Sequence, residues 1–297
     1  MNLSPEEINE LMEQVYQLEL HAKKLAQETF TGDYHSCFKG RGLDFDDYRE
    51  YQAGDEIRFI DWNVTARSQT PYVRTFKEDR DLDVILLIDV SGSTLYGSNE
   101  KSKRALMARI AATLAFAVTS NHDKIGLILF SDKPLLYLPP HTGRTHVLRI
   151  IREIIAQPPP PGHANLDNAC LYLNRLCKKR ALVFLISDFQ DMDLNESLMS
   201  TAYRHDMLAL RVEDPAEQRL PRAGLVGLID PETLCEVAVN TNSSHVRAAY
   251  HQKRTLFLEN LKKFFHKADI DYASFSTTED FFLPLHELLL SRSSKRK

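Results

Sequence analysis

One stretch limits the possible folds more than any other: the twelve residues from Asp83 to Thr94, DVILLIDVSGST. Val84 to Ile88 is an unbroken apolar run, rich in branched residues, too short for a helix and without a polar alternate. A strand buried on both faces reads this way, and such strands belong to parallel sheets flanked by helices. The run stops abruptly at Asp89, Ser91 and Ser93, three oxygen-bearing side chains at alternate positions beyond the carboxyl end of the strand. In open α/β sheets that edge is where ligands bind. A carboxylate with hydroxyls is also the donor set that a hard divalent cation such as Mg²⁺ prefers. The plain alternative is a helix N-cap, a common position for Ser and Thr.

The same grammar recurs downstream. Ala181 to Ile186 is another apolar run, and it too ends in oxygen ligands, Ser187 and Asp188. Ile125–Phe130, Met207–Val212 and Ile270–Phe275 read as further strands, with Leu135–Leu138 as a short antiparallel neighbour. Between them, helical spacing covers Ser102–Ser120, Thr145–Ala156, Asn165–Lys179, Arg247–Lys267 and Phe281–Leu290. Buried strands alternating with helices predict an α/β fold with a doubly wound, mainly parallel sheet. A switch point at the centre sets the Asp89 and Asp188 strands side by side, so that Asp89, Ser91, Ser93 and Asp188 converge.

The flanks are less regular. Ser4-Pro5-Glu6-Glu7 is a helix start, and Ile8, Leu11, Val15, Leu18, Ala22 and Leu25 draw one apolar stripe after it. Thr31 to Arg80 predicts short strands and turns, with Tyr72–Lys77 an edge strand. In that stretch Arg49, Arg58, Arg67, Asp55 and Asp61 are read as a buried ion-pair network. Leu225–Ile229 and Leu234–Val239, parted by Asp230 to Thr233, predict a β-hairpin. The expected organisation is an N-terminal helix and β-rich extension over 1–80, an α/β domain over 81–290 with a hairpin insertion near 225–239, and a disordered basic tail over 291–297.

Composition excludes several classes. A net charge of −4 over 297 residues gives no reason to expect nucleic acid as the main partner. The four cysteines, Cys37, Cys170, Cys177 and Cys235, form no C-x-x-C pair, and no apolar run approaches a membrane span, so a cytoplasmic location is expected. No phosphate loop, G-x-S-x-G elbow or His-Glu-x-x-His motif is present, and the eleven histidines are scattered singly.

Asp-x-Ser-x-Ser after a first buried strand, with Ser-Asp after a later one, resembles the metal-ion-dependent adhesion site of von Willebrand factor A domains. The flanks sharpen the likeness. Gly40 to Phe45, Arg49 to Tyr51, Gly54 to Arg58, Ile60 to Trp62, Ala66-Arg67 and Phe76 to Arg80, leading into Asp89, are similar to the domain-of-unknown-function 58 family. Ile186 to Phe189 and the Asp230–Thr233 turn also resemble that family, so the likeness spans roughly Phe30 to Phe282. It implies a von Willebrand A-like fold and a metal site for Mg²⁺ or Mn²⁺ formed by Asp89, Ser91, Ser93 and Asp188. It also implies a non-enzymatic protein-binding role beside a MoxR-type AAA+ ATPase, or the client that the ATPase remodels. One departure is expected to weaken the metal: the threonine ligand usual in such sites falls at Ala164. Asn165, His163, Thr142, Thr145 and water are the candidate substitutes. The alternatives are a Mg²⁺-dependent phosphotransferase or hydrolase using Asp89, for which Ser91 stands where a second acid is needed, and a scaffold with a vestigial metal site.

Overall fold

The computed structural model describes residues 43–295 apart from 53–54, 56–58, 69, 79–82, 99–101, 161, 191, 231–232 and 234. The expected N-terminal helix and Arg58 lie outside these residues. The described residues fall into two compact units, one on each side of the segment joining Leu82 to Asp83.

The first unit holds β1 (Leu43–Glu50), α1 (Trp62–Ser68) and β2 (Tyr72–Glu78). β1 and β2 pair antiparallel from Leu43 opposite Glu78 to Glu50 opposite Tyr72, with an irregularity between Phe45 and Asp47. The short helix α1 was not foreseen. Asp61 starts it: its Oδ1 accepts the N–H groups of Asn63 at 2.9 Å and Val64 at 3.2 Å, which a carboxylate at a helix start does well. The expected buried network is therefore corrected. Arg49 and Asp55 make a bidentate pair at 2.7 and 2.6 Å in an exposed setting, Asp61 acts as a cap, and Arg67 is exposed.

The second unit runs β3 (Asp83–Asp89), α2 (Lys103–Ser120), β4 (Lys124–Phe130), β5 (Pro134–His141), α3 (Arg144–Ala156), α4 (Leu166–Leu176), β6 (Leu182–Ser187) and α5 (Glu196–Arg204). It continues with β7 (Asp206–Glu213), β8 (Leu225–Ile229), β9 (Glu236–Asn240), α6 (Ser244–Lys267), β10 (Asp271–Ser276) and α7 (Phe282–Lys295). Six strands form one sheet in the order β10-β7-β6-β3-β4-β5, parallel throughout except for β5. The chain leaves the central strand β3 first toward β4 and β5, then returns to build β6, β7 and β10 on the other side. That is the doubly wound order, with its switch point at β3.

Val84 to Ile88 are wholly buried. Burying five such side chains contributes on the order of 10 kcal/mol before the entropy of ordering the chain is set against it. Ile85, Leu87, Ile128, Phe130, Val183 and Leu185 face α4, α5 and α6 in one core layer. The alternate residues face α2, which lies against β3, β4 and β7 and is itself covered by α3. α2 is consequently buried nearly all round.

Two further expectations change, and one helix was missed. The tail reading over 291–297 is corrected, because α7 runs on to Lys295 and the buried Arg292 pairs with Asp206 and Asp271. α5 went unread: its nine residues give too few turns for a clear apolar period. β5 returns antiparallel along β4, so His141 lies opposite Ile125, at the amino end of the sheet. Thr142 and Thr145, which follow it, therefore cannot replace the missing threonine.

Candidate functional site

β3 and β6 are adjacent and parallel, so their carboxyl ends deliver Asp89 and Ser187-Asp188 to one edge. Ser91 and Ser93 follow in the tight turn Gly92–Leu95, with their hydroxyls 3.1 Å apart. Asp89, Ser91, Ser93 and Asp188 are all buried. The four residues singled out in the sequence thus share one end of the sheet.

Each oxygen has work already. Asp89 Oδ1 accepts the Ser91 N–H at 2.8 Å, and Oδ2 accepts the Ser187 hydroxyl at 2.8 Å. The Ser187 Oγ in turn accepts the Phe189 N–H at 2.8 Å. Burial pushes the Asp89 carboxyl up to about 7; the charge of Asp188 adds to the rise, while the Ser91 N–H and Ser187 hydroxyl oppose it.

Two cations that the sequence reading missed complete the site, both from the first turn of α2. Lys103 Nζ donates to Asp188 Oδ2 at 2.6 Å and to Glu217 Oε1 at 2.5 Å, and Lys103 is wholly buried. Burial works against its ammonium, but Asp188 and Glu217 outweigh that effect and raise its pKa above the ordinary lysine value. Arg104 donates to the backbone oxygens of Val90 at 2.5 Å, Ser91 at 3.0 Å and Gln157 at 2.6 Å, and to Thr94 Oγ1 at 2.9 Å. It clamps the turn after β3 in shape. A signal for both was present: two basic residues open a helix whose first turn holds no acid, where the helix dipole disfavours positive charge.

The turn after β7 closes the edge. Asp214 caps the short turn Pro215–Glu217 in a full capping box and also accepts the Ser98 N–H at 2.9 Å and the Thr277 hydroxyl at 2.7 Å. Burial works against the Asp214 carboxylate, and these donors overcome it, holding its pKa below the ordinary value. Glu217 accepts from Gln190 Nε2 at 2.7 Å as well as from Lys103, while the Tyr250 hydroxyl donates to its backbone oxygen at 2.8 Å.

The fit to a divalent cation is partial at best. Two adjacent oxygens around Mg²⁺ sit about 3 Å apart, so the Ser91–Ser93 spacing suits such an ion. The rest of the donor set does not. Asp188 is committed to an internal ammonium, Ala164 packs in the core, and Asn165 is occupied as the cap of α4, accepting the Asn168 N–H at 3.0 Å. With Asp188 and Asn165 engaged and Ala164 without a hydroxyl, the site as arranged lacks the full donor set that Mg²⁺ or Mn²⁺ takes.

Nor is it built for nucleophilic catalysis. The Ser91 and Ser93 hydroxyls contact each other with no histidine on either among the described residues, and both Asp89 oxygens are engaged. Burial pushes the Cys170 thiol up to about 12, far from a reactive thiolate. This edge also exposes two large apolar side chains, Leu95 and Tyr96, 46% and 44% accessible, which follow the buried Thr94.

Residues 47–256 match the family described as Protein of unknown function DUF58. Uncharacterized proteins of Mycobacterium tuberculosis and Mycobacterium bovis are 33% identical to this chain over 219 residues, covering 73% of it and 69% of each relative. Among solved structures, the conserved hypothetical protein BatB from Bacteroides thetaiotaomicron is similar at 15% identity and a TM-score of 0.47, covering 72% of this chain and 99% of that one. The SpRpn10 VWA domain is similar at 11% identity and a TM-score of 0.37, covering 71% and 94%. No helix among the described residues is long and apolar enough to cross a membrane.

Proposed function

Because the chain belongs to the DUF58 family, we propose that it is a non-enzymatic protein-binding module that docks a partner at the carboxyl edge of its sheet. One observation carries this reading: Leu95 and Tyr96 stand exposed beside a polar cluster whose own members are already paired. Aromatic residues ringed by satisfied polar groups are the anchors on which interfaces depend. The Ser131 hydroxyl and Asp132 Oδ1, on the loop after β4, are buried without a hydrogen-bond partner and add polar capacity at the same end.

The partner is a MoxR-type AAA+ ATPase or its client, as the family resemblance implies. ATP hydrolysis belongs to that other chain, since no phosphate loop occurs here. Affinity capture from source-cell lysate tests the reading, with wild type, Leu95→Asp, Tyr96→Asp and an EDTA-treated sample compared. A MoxR-type ATPase recovered with wild type, kept in EDTA and lost with either edge variant is the expected result. Its absence with wild type, or equal recovery with the edge variants, rejects the reading. Turnover of a phosphate ester with Mg²⁺ that disappears in Asp89→Asn would instead favour the enzyme.

A further inference from the structure

Asp188 is one of two carboxylates that an adhesion-type pattern reserves for a divalent cation. Its Oδ2 instead accepts from Lys103 Nζ at 2.6 Å, and the same ammonium reaches Glu217 Oε1 at 2.5 Å. We propose that the Lys103 ammonium is the resident cation of this edge. It takes the carboxylate that Mg²⁺ would need and joins the end of β6 to the turn after β7, so the site keeps its shape without a divalent ion. The inference concerns the isolated chain and stands whether or not this edge docks a partner.

Three observations converge on it. Lys103 is wholly buried and Asp188 almost so, which makes their pairing an internal feature and not a solvent-screened surface contact. Lys103 opens α2, where the helix dipole opposes a positive charge, so its ammonium is held there by its acids and not by the helix. The loop position that supplies a hydroxyl in an adhesion-type site has also left the metal: Ala164 brings none, and its neighbour Asn165 caps α4. A divalent ion placed on Asp188 would share one carboxylate with a buried ammonium, and like charges that close repel strongly in a low dielectric.

The full chain, stripped with EDTA and dialysed, is titrated with Mn²⁺ alone, the free ion being read by electron paramagnetic resonance. Wild type is expected to leave the free-ion signal as in buffer, and Mg²⁺ to leave its Tm unmoved. Lys103→Ser removes the ammonium and opens room for a hydrated ion. It is expected to bind Mn²⁺ roughly tenfold or more tightly than wild type does, to gain Tm from Mg²⁺, and to lose both when Asp188→Asn is added. Stoichiometric uptake by wild type that vanishes in Asp89→Asn overturns the proposal, as does Lys103→Ser that matches wild type in Tm and gains no uptake. The wild-type arm depends on no variant folding, and ammonium nitrogen NMR gives it a second readout. A slowly exchanging lysine signal that Mg²⁺ leaves in place is expected, and displacement of that signal by Mg²⁺ overturns the assignment.

Discussion

Arg104 holds four oxygens at once: the Val90 and Ser91 carbonyls where β3 runs out, the Gln157 carbonyl at the end of α3, and Thr94 Oγ1. Its planar fork reaches in several directions, which a lysine cannot imitate. Arg104→Ala takes the charged donor from Val90 O and Gln157 O, while Ser91 O keeps the Thr94 hydroxyl at 2.7 Å, and is expected to lower the unfolding free energy by about 2–4 kcal/mol in urea titration, with Arg104→Lys recovering little. His205 offers a second test. Its Nδ1 accepts the Ala181 N–H at 3.2 Å and its Nε2 faces Asn174 Oδ1 at 3.1 Å, so the buried ring is neutral with the proton on Nε2. Burial, aided by Arg204 and Arg180, pulls its pKa from 6.5 to about 4. Between those values the unfolded chain binds more protons, so this ring's contribution is full above pH 6.5 and fades as pH falls toward 4. His205→Asn should therefore cost about 1–3 kcal/mol near neutral pH, and the gap to wild type should narrow on acidification. Asp89, Ser91, Ser93 and Asp188 were legible in the sequence because each follows an apolar run that can only be a buried strand. Lys103 was marked only by its place at the start of a helix and Glu217 not at all, because the contacts that define them span 85 and 114 positions of chain.

At the scale of elements, the apolar runs of β3, β4 and β6 announced themselves, and their parallel pairing follows from burial on both faces. The short antiparallel β5 was read correctly too, but the direction of its far end matters more than its existence. By turning back along β4 it carries Thr142 and Thr145 away from the site, which no local pattern reveals. β4 tolerates that close neighbour through Gly126. A Cβ there would lie 2.9 Å from Leu138 O, 3.0 Å from Ile85 Cδ1 and 3.1 Å from Pro140 N. Two of those atoms are backbone and cannot swing aside. Gly126→Ala is expected to cost about 1–3 kcal/mol by thermal or urea unfolding, although alanine is ordinarily harmless in a strand.

For the molecule as a whole, apolar surface is distributed unevenly. The β8–β9 hairpin was predicted from its turn residues, and its strands pair from Leu225 opposite Asn240 to Ile229 opposite Glu236. Its side chains, however, are mostly exposed, Leu225, Leu228, Ile229 and Val237 among them, and the first two turns of α6 are no better covered. An alternating strand pattern indicates that one face is apolar but not whether the protein covers that face. Because these residues contribute little to the core, Ile229→Lys with Val237→Lys should shift the unfolding free energy by no more than about 0.5 kcal/mol per site. The same pair is expected to reduce concentration-dependent association by light scattering.

The network around Glu217 has a mechanical corollary. Lys103 ties it to Asp188 after β6, Gln190 adds a second strut, Tyr250 fastens it to α6, and Asp214 binds Ser98 and Thr277. A pull at Tyr96, whose backbone oxygen accepts the Lys103 N–H at 2.9 Å, is therefore passed on to the ends of β6 and β7 and is not borne by β3 alone.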